Sequence, residues 1–265
     1  MTCSVVAELL AASCCDPKRH EQVAAMPEPR SLYLIAMTPR SGSSHLCDVL
    51  SNTRKLGRPG EMLSKEFIPE IVRSAPGRDA DEYLRQVLKV IRTPNGVSGL
   101  KASWFQFDEF RRAMKEPAFL LKFRFIHLTR RDPSAQAVSL YRATATNVFH
   151  TNVHHSADAI GQLEALDYDF EKIRHWHDHI VAQERGWQSF FAENGIFPLA
   201  VSYEDIEHDV LAVVRRIAAY IGRPHAAASV VPDSIFRKLG ERRSLEWATR
   251  FKLDLDAHLR APVDD

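Results

Sequence analysis

The chain has 265 residues, 45% of them apolar and 26% charged, which is the ordinary balance of a globular protein. Its formal net charge of +1 excludes the global basic field of a nucleic-acid binder, so any anion site must be local. No apolar run approaches the ~20 residues needed to span a bilayer.

The first stretch, "MTCSVVAELLAASCCDPKRH", is mildly apolar but is interrupted by Glu8, and no Lys or Arg precedes it. The basic n-region of an export signal is therefore missing, and a helix is expected instead. Residues 1–30 read as an N-terminal extension, with "MPEPRS" (26–31) as a linker to a single domain over 31–265. Cys3, Cys14, Cys15 and Cys47 offer neither a disulfide framework nor a C-x-x-C pair, which fits a cytoplasmic protein.

Four short apolar runs, each followed by polar or turn residues, predict strands: Leu32–Met37, Val97–Ala102, Phe123–Leu128 and Pro198–Ser202. Helices are expected at Ser43–Thr53, Asp81–Ile91, Phe107–Met114 and Pro133–Asn147. A helical insert follows over 157–194, broken near "LDYD" and ended by Asn194-Gly195. Residues 203–222 carry Ile206, Val210, Val213, Val214, Ile217 and Ile221 on one face, and a final helix spans Ser234–Leu259. Strands alternating with helices predict an α/β fold: a central parallel β-sheet flanked by helices, with ligands at the carboxyl ends of the strands.

The first strand hands over to a helix through "TPRSGSS" (38–44). The first N–H groups of a helix lack partners within it, so an anion is the natural occupant of such a junction. The loop is not G-x-x-x-x-G-K-[ST], because it has one Gly and its basic group, Arg40, precedes that Gly. Nor is it a G-x-S-x-G nucleophile elbow, because the second Gly is absent. A helix needs one cap, whereas this loop has three Ser besides Gly and Arg. It reads as a wrap for a phosphate or phosphosulfate: Gly42 lets the backbone approach, Ser41, Ser43 and Ser44 donate, and Arg40 supplies charge.

"RRDPSAQAVSLY" (130–141) repeats this logic. A strand delivers Arg130 and Arg131, Asp132-Pro133 opens a helix, and Ser139 lies about two turns along it. Together, "TPRSGSS" and this segment resemble the paired nucleotide motifs of sulfotransferases. That likeness implies a P-loop-like fold in which the first loop holds the 5′-phosphosulfate of 3′-phosphoadenosine 5′-phosphosulfate (PAPS). An Arg at the strand end and a Ser on the helix then hold the 3′-phosphate, and Arg131, eight positions before Ser139, is favoured over Arg130. "VSYEDI" (201–206) also looks like that family's strand–helix junction, and "RTPNGVSGLKASWFQ" (92–106), "RGWQSFF" (185–191) and "ERRSLEWATRF" (241–251) resemble the bacterial trehalose 2-sulfotransferase branch.

The resemblance implies sulfuryl transfer to a hydroxyl of a carbohydrate, glycolipid or related small metabolite, without a metal. It also implies Arg40 as the cation at the leaving group and, from the loop "LGRPGEMLS" (56–64), Glu61 as general base. Arg58 stands where the branch has a Glu beside its sugar, a charge reversal that points to an acceptor bearing an anionic group. Lys101 and Trp104 are expected near the acceptor. A homodimer is also implied.

His175 with His179 and His150 with His154 have helical spacing but no third ligand, so they read as solvated faces. The basic pairs Arg237-Lys238 and Arg242-Arg243 are left without a role. A P-loop-type kinase using ATP and a non-catalytic nucleotide-binding protein remain as alternatives.

Overall fold

The computed structural model describes residues 4–13, 16–149, 157–227 and 241–260. Two short helices, α1 (Val5–Ala12) and α2 (Pro17–Ala24), come first, and β1 (Ser31–Met37) follows them. α3 (Ser43–Asn52), α4 (Ile68–Ile71) and α5 (Ala80–Val90) lead to β2 (Val97–Ser103), and α6 (Trp104–Ala113) leads to β3 (Arg124–Thr129). α7 (Pro133–Thr146), α8 (Ala157–Ala165) and α9 (Phe170–Glu193) then connect to β4 (Leu199–Ser202). α10 (Tyr203–Tyr220) and α11 (Glu241–Arg260) complete the described chain. The final helix was expected to begin at Ser234; residues 234–240 lie outside the described residues, as do His150, His154, Arg237, Lys238 and all the cysteines except Cys47.

The strands form one parallel sheet in the order β2-β1-β3-β4. The expected parallel sheet is therefore present, with each strand within a residue of its predicted span. The chain goes from β1 to β2 on one side and then crosses back to β3 on the other. The carboxyl end of β1 is thus the point where the winding reverses, which is where open α/β sheets bind ligands.

Alternation along β1 sends Leu34 and Ala36 to one face and Tyr33, Ile35 and Met37 to the other. The first face packs on aromatics of α6 and α9, including Phe107, Phe110, Trp187 and Phe190; Val6 and Leu10 of α1 join the same cluster. The second face packs on α3 and α10 through Leu46, Val49, Leu50, Val213 and Ile217. A third cluster joins α7, α9 and α11 around Val138, Ile180 and Phe251.

α6 starts three residues earlier than predicted. Ser103 accepts from the Gln106 backbone while the Gln106 side chain accepts from the Ser103 N–H, a reciprocal cap that ends β2 and opens the helix without a loop.

Candidate active site

The helices that follow strands differ at their first turn. α6 is capped by Ser103, α7 by Asp132 and α10 by Ser202, each through its side chain. α3 begins at Gly42, with no side-chain cap. Its leading N–H groups lie at the positive end of the helix dipole and are not capped by the serines, as a simple capping role would require. Gly42 has φ +79°, and a Cβ there would stand 2.8 Å from the Tyr203 ring, so only glycine fits. Arg40 also has positive φ, at 66°, a strained conformation for a residue with a side chain. Ser41 is fully buried, and its Oγ has no hydrogen-bond partner among the described residues.

The loop is held from behind. The Gln136 side-chain amide donates to Thr38 Oγ1 and to the Pro39 carbonyl, both at 2.7 Å. Thr38 Oγ1 also lies 3.3 Å from Glu184, whose other oxygen meets His127 at 2.9 Å. Trp187 Nε1 donates to the carbonyl of Met37 at 3.2 Å.

In front of the loop lies a cavity of about 1110 Å³, lined among others by Arg40, Gly42, Ser43, Ser44, Glu61, Arg130 and Ser139. Arg40 donates from Nε to Ser139 Oγ at 3.1 Å and from a terminal nitrogen to the Phe149 carbonyl at 2.6 Å. Arg130 donates to the Arg40 carbonyl at 3.3 Å and lies 4.4 Å over the Tyr203 ring. These hydrogen bonds go to neutral oxygens. Burial and then Arg130 lower the Arg40 pKa from its usual value. Two guanidiniums at an open helix end form a positive pocket that a bound anion would relieve.

Arg131, which the spacing favoured, points elsewhere. Its N–H donates to Glu204 and its guanidinium pairs with Asp205 at 3.0 Å, on an exposed surface. Arg130 is the member of the pair that lines the cavity with Ser139.

Across the cavity the Glu61 loop is fixed to the outer edge of β2, because the Lys101 backbone N–H donates to the Gly60 carbonyl at 2.9 Å. Gly57, at φ +80°, lies so close to β2 that a Cβ would come within 2.8 Å of the Gly99 nitrogen. The Lys101 ammonium sits 2.9 Å from one Glu61 oxygen, and the Gln106 amide donates to the other at 2.9 Å. Lys101 also donates to Ser44 Oγ at 3.3 Å, bridging the carboxylate and the first turn of α3. Burial alone would lower the Lys101 pKa, but Cys47 and Glu61 outweigh it and the net direction is upward. Burial pushes the Cys47 thiol up to about 12, so at neutral pH it is uncharged and the partner that Lys101 meets is Glu61.

Arg58 is exposed and is not among the residues that line the cavity. Trp104 also stays out of it. Its ring packs against Trp187 at 5.3 Å and Phe190 at 6.1 Å, and a Cβ on Gly186 would fall 2.3 Å from its Nε1. His175 is exposed as expected for a solvated face, whereas His179 is half-buried and lines the cavity. Sequence reasoning missed Gln106, Tyr203 and His45. The Ser103–Gln106 spacing was a readable signal for the first; the other two reach the cavity only through packing.

The model of the Stf0 sulphotransferase family matches residues 32–254. Trehalose 2-sulfotransferase of Mycobacterium tuberculosis is 26% identical over 270 residues, covering 84% of this chain and 94% of that protein. Trehalose 2-sulfotransferase of Mycolicibacterium smegmatis is 26% identical over 269 residues, covering 86% and 97%. Among solved structures, a sulfotransferase from Alicyclobacillus acidocaldarius aligns with a TM-score of 0.42 at 16% identity, covering 88% of this chain and 97% of that one. A family match that spans the sheet, both basic loops and most of the last helix shows that the chain belongs to the Stf0 sulphotransferases.

Proposed function

We propose that the protein transfers a sulfuryl group from PAPS to a hydroxyl of a carbohydrate or a sugar-bearing small acceptor. The observation that carries this reading is the uncapped start of α3, which shares one cavity with Arg40, Arg130 and the carboxylate of Glu61. Family membership supports the reaction type, and the substrate in the relatives' name supports a sugar acceptor.

The residues present fit the donor. Gly42 leaves room for an anion to approach the backbone, and among the described residues the guanidiniums beside it donate to a hydroxyl and to carbonyl oxygens rather than to an acid. The α3 N–H groups, Ser43, Ser44 and Arg40 would hold the phosphosulfate, while Arg130 and Ser139 would hold the 3′-phosphate. PAPS supplies an already activated sulfuryl group.

Glu61 takes the proton of the acceptor hydroxyl as its oxygen attacks in line. Lys101 and Gln106 fix the two carboxylate oxygens, which sets the direction from which that proton is accepted. Lys101 also presents its charge at Ser44, where negative charge on the transferred group is stabilised. Arg40 stabilises the departing phosphate oxygen electrostatically, since a guanidinium does not give up its proton.

Calorimetric titration with 3′-phosphoadenosine 5′-phosphate (PAP), AMP and ATP in EDTA tests the donor assignment. PAP is expected to bind at least ~10-fold more tightly than AMP, because charge-assisted hydrogen bonds to the 3′-phosphate contribute about 1.5–3 kcal/mol. Equal affinity for PAP and AMP would overturn the assignment. Binding of ATP alone, and only with Mg²⁺, would move the reading to a kinase.

A further inference from the structure

Two titratable side chains behind the donor loop have no part in the chemistry above. His127 on β3 and Glu184 on α9 lie 2.9 Å apart and are both partly buried, and neither is among the residues that line the cavity. The His127 ring packs edge-on against Phe191 at 5.4 Å, which keeps it aimed at Glu184. The other Glu184 oxygen lies 3.3 Å from Thr38 Oγ1, and Thr38 is fully buried two residues before Arg40. By charge alone, a carboxylate behind an anion pocket opposes the ligand, so its place there calls for another reason.

The direction of the hydrogen bonds follows from what each group can do. The Gln136 amide nitrogen has two hydrogens and spends both, one on Thr38 Oγ1 and one on the Pro39 carbonyl. Thr38 therefore accepts from Gln136, and its single proton is left for Glu184, which as a carboxylate only accepts. The chain ends at the Pro39 carbonyl, in the peptide that leads into Arg40. Arg40 reaches its φ of 66° by rotation about the very next bond, and such a strained backbone persists only where its surroundings over-determine it. We infer that Glu184 is a positioning residue for the donor loop. Through Thr38 and Gln136 it fixes the peptide before Arg40, and so the direction in which Arg40 and the first turn of α3 meet the phosphosulfate; His127 anchors its other oxygen. This rests on the sulfotransferase reading and deepens it.

The test titrates PAP and AMP into the wild type and into Glu184→Leu, Glu184→Gln, Thr38→Val and Thr38→Ser, with urea denaturation of each. Charge and positioning predict opposite signs. If Glu184 acted by charge, both of its variants would bind PAP more tightly. Positioning predicts that Glu184→Leu and Thr38→Val weaken PAP and AMP by the same factor, ~10-fold for loss of the hydrogen bond that aligns the loop. The ratio of PAP to AMP affinity should keep its wild-type value, because the fault lies at the 5′ end and Arg130 and Ser139 are untouched. Glu184→Gln keeps an oxygen for Thr38 and can donate to the other tautomer of His127, and Thr38→Ser keeps the hydroxyl. Both should therefore bind within about threefold of the wild type. Glu184→Leu binding PAP as well as the wild type, or better, would overturn the role, even with stability lost in urea. So would a loss in Glu184→Gln as large as that in Glu184→Leu. If Glu184→Leu does not fold, Thr38→Val against Thr38→Ser decides by the same comparison. A wild type that binds neither nucleotide would remove the donor assignment and the positioning role with it. Variants that match a PAP-binding wild type would remove the role alone.

Discussion

Replacing Glu61 with Gln keeps the length and shape of the side chain and takes away its ability to accept a proton. Loss of a positioned general base costs ~10²–10⁴-fold in rate, so kcat should fall by that factor. The structure adds a second, separable effect. Glu61 now accepts from Lys101 on one oxygen and from Gln106 on the other, each at 2.9 Å. A glutamine amide offers one oxygen and one NH2, so one of those two donors would face a donor. With Lys101 almost wholly buried, the mismatch should cost about 1–3 kcal/mol of stability. Donor binding should be spared, because Arg40, Arg130 and Ser139 hydrogen-bond to one another and to backbone carbonyls rather than to Glu61. The assay pairs single-turnover rates with PAP titration and urea denaturation for Glu61→Gln and Gln106→Leu. The second variant removes one donor and keeps the base, so it should lose far less rate. If Glu61→Gln retains a tenth or more of wild-type kcat, Glu61 is not the base.

Arg130→Ala should weaken PAP by ~10–100-fold while leaving AMP nearly unchanged, whereas Arg131→Ala should move PAP affinity by less than about twofold, because Arg131 is engaged by Asp205. The reverse ranking would restore the assignment that sequence spacing favours. A pH-dependent contribution is expected at Glu82, which accepts from Arg78 and His20 and so ties α2 to α5. The hydrogen bond from Arg78, with smaller help from His20, holds its carboxyl at about 2 against an ordinary value of 4.5. A depressed carboxyl stabilises the fold above the unfolded value, and that stabilisation is lost as pH falls from 4.5 toward 2. After solvent screening it amounts to about 1–2 kcal/mol, so Glu82→Gln should be less stable than wild type by that amount at pH 7. In urea denaturation the gap should close as the pH approaches 2; a constant gap would refute the linkage.

The strands were legible because each is a short apolar run closed by a polar residue or turn, and the sheet needs little else to form. The start of α6 was obscured because Trp104 and Phe105 prolong the apolar look of β2; the helix begins there because Ser103 and Gln106 cap each other. Trp104 illustrates a different limit. An aromatic close after Lys101 suits a pocket wall, but the space it occupies is left by Gly186, far along the chain on α9. The choice between Arg130 and Arg131 was hidden for the same reason, since the acids that draw Arg131 away lie on α10. Anion-binding loops announce themselves locally, through residue types that a helix start does not otherwise need. What faces what across the cavity is decided by contacts between distant segments, and no spacing rule carries that information.

Gln136 holds Thr38 and Pro39 from α7, the same helix whose next turn bears Ser139. The two proposed anion pockets are therefore both mounted on α7. Under the proposed donor assignment their separation is set by that helix, and a nucleotide would be gauged by the span between its two charged ends. A donor with both ends at that span is gripped twice, while one lacking the second charge, or carrying it elsewhere, engages only half of the ruler.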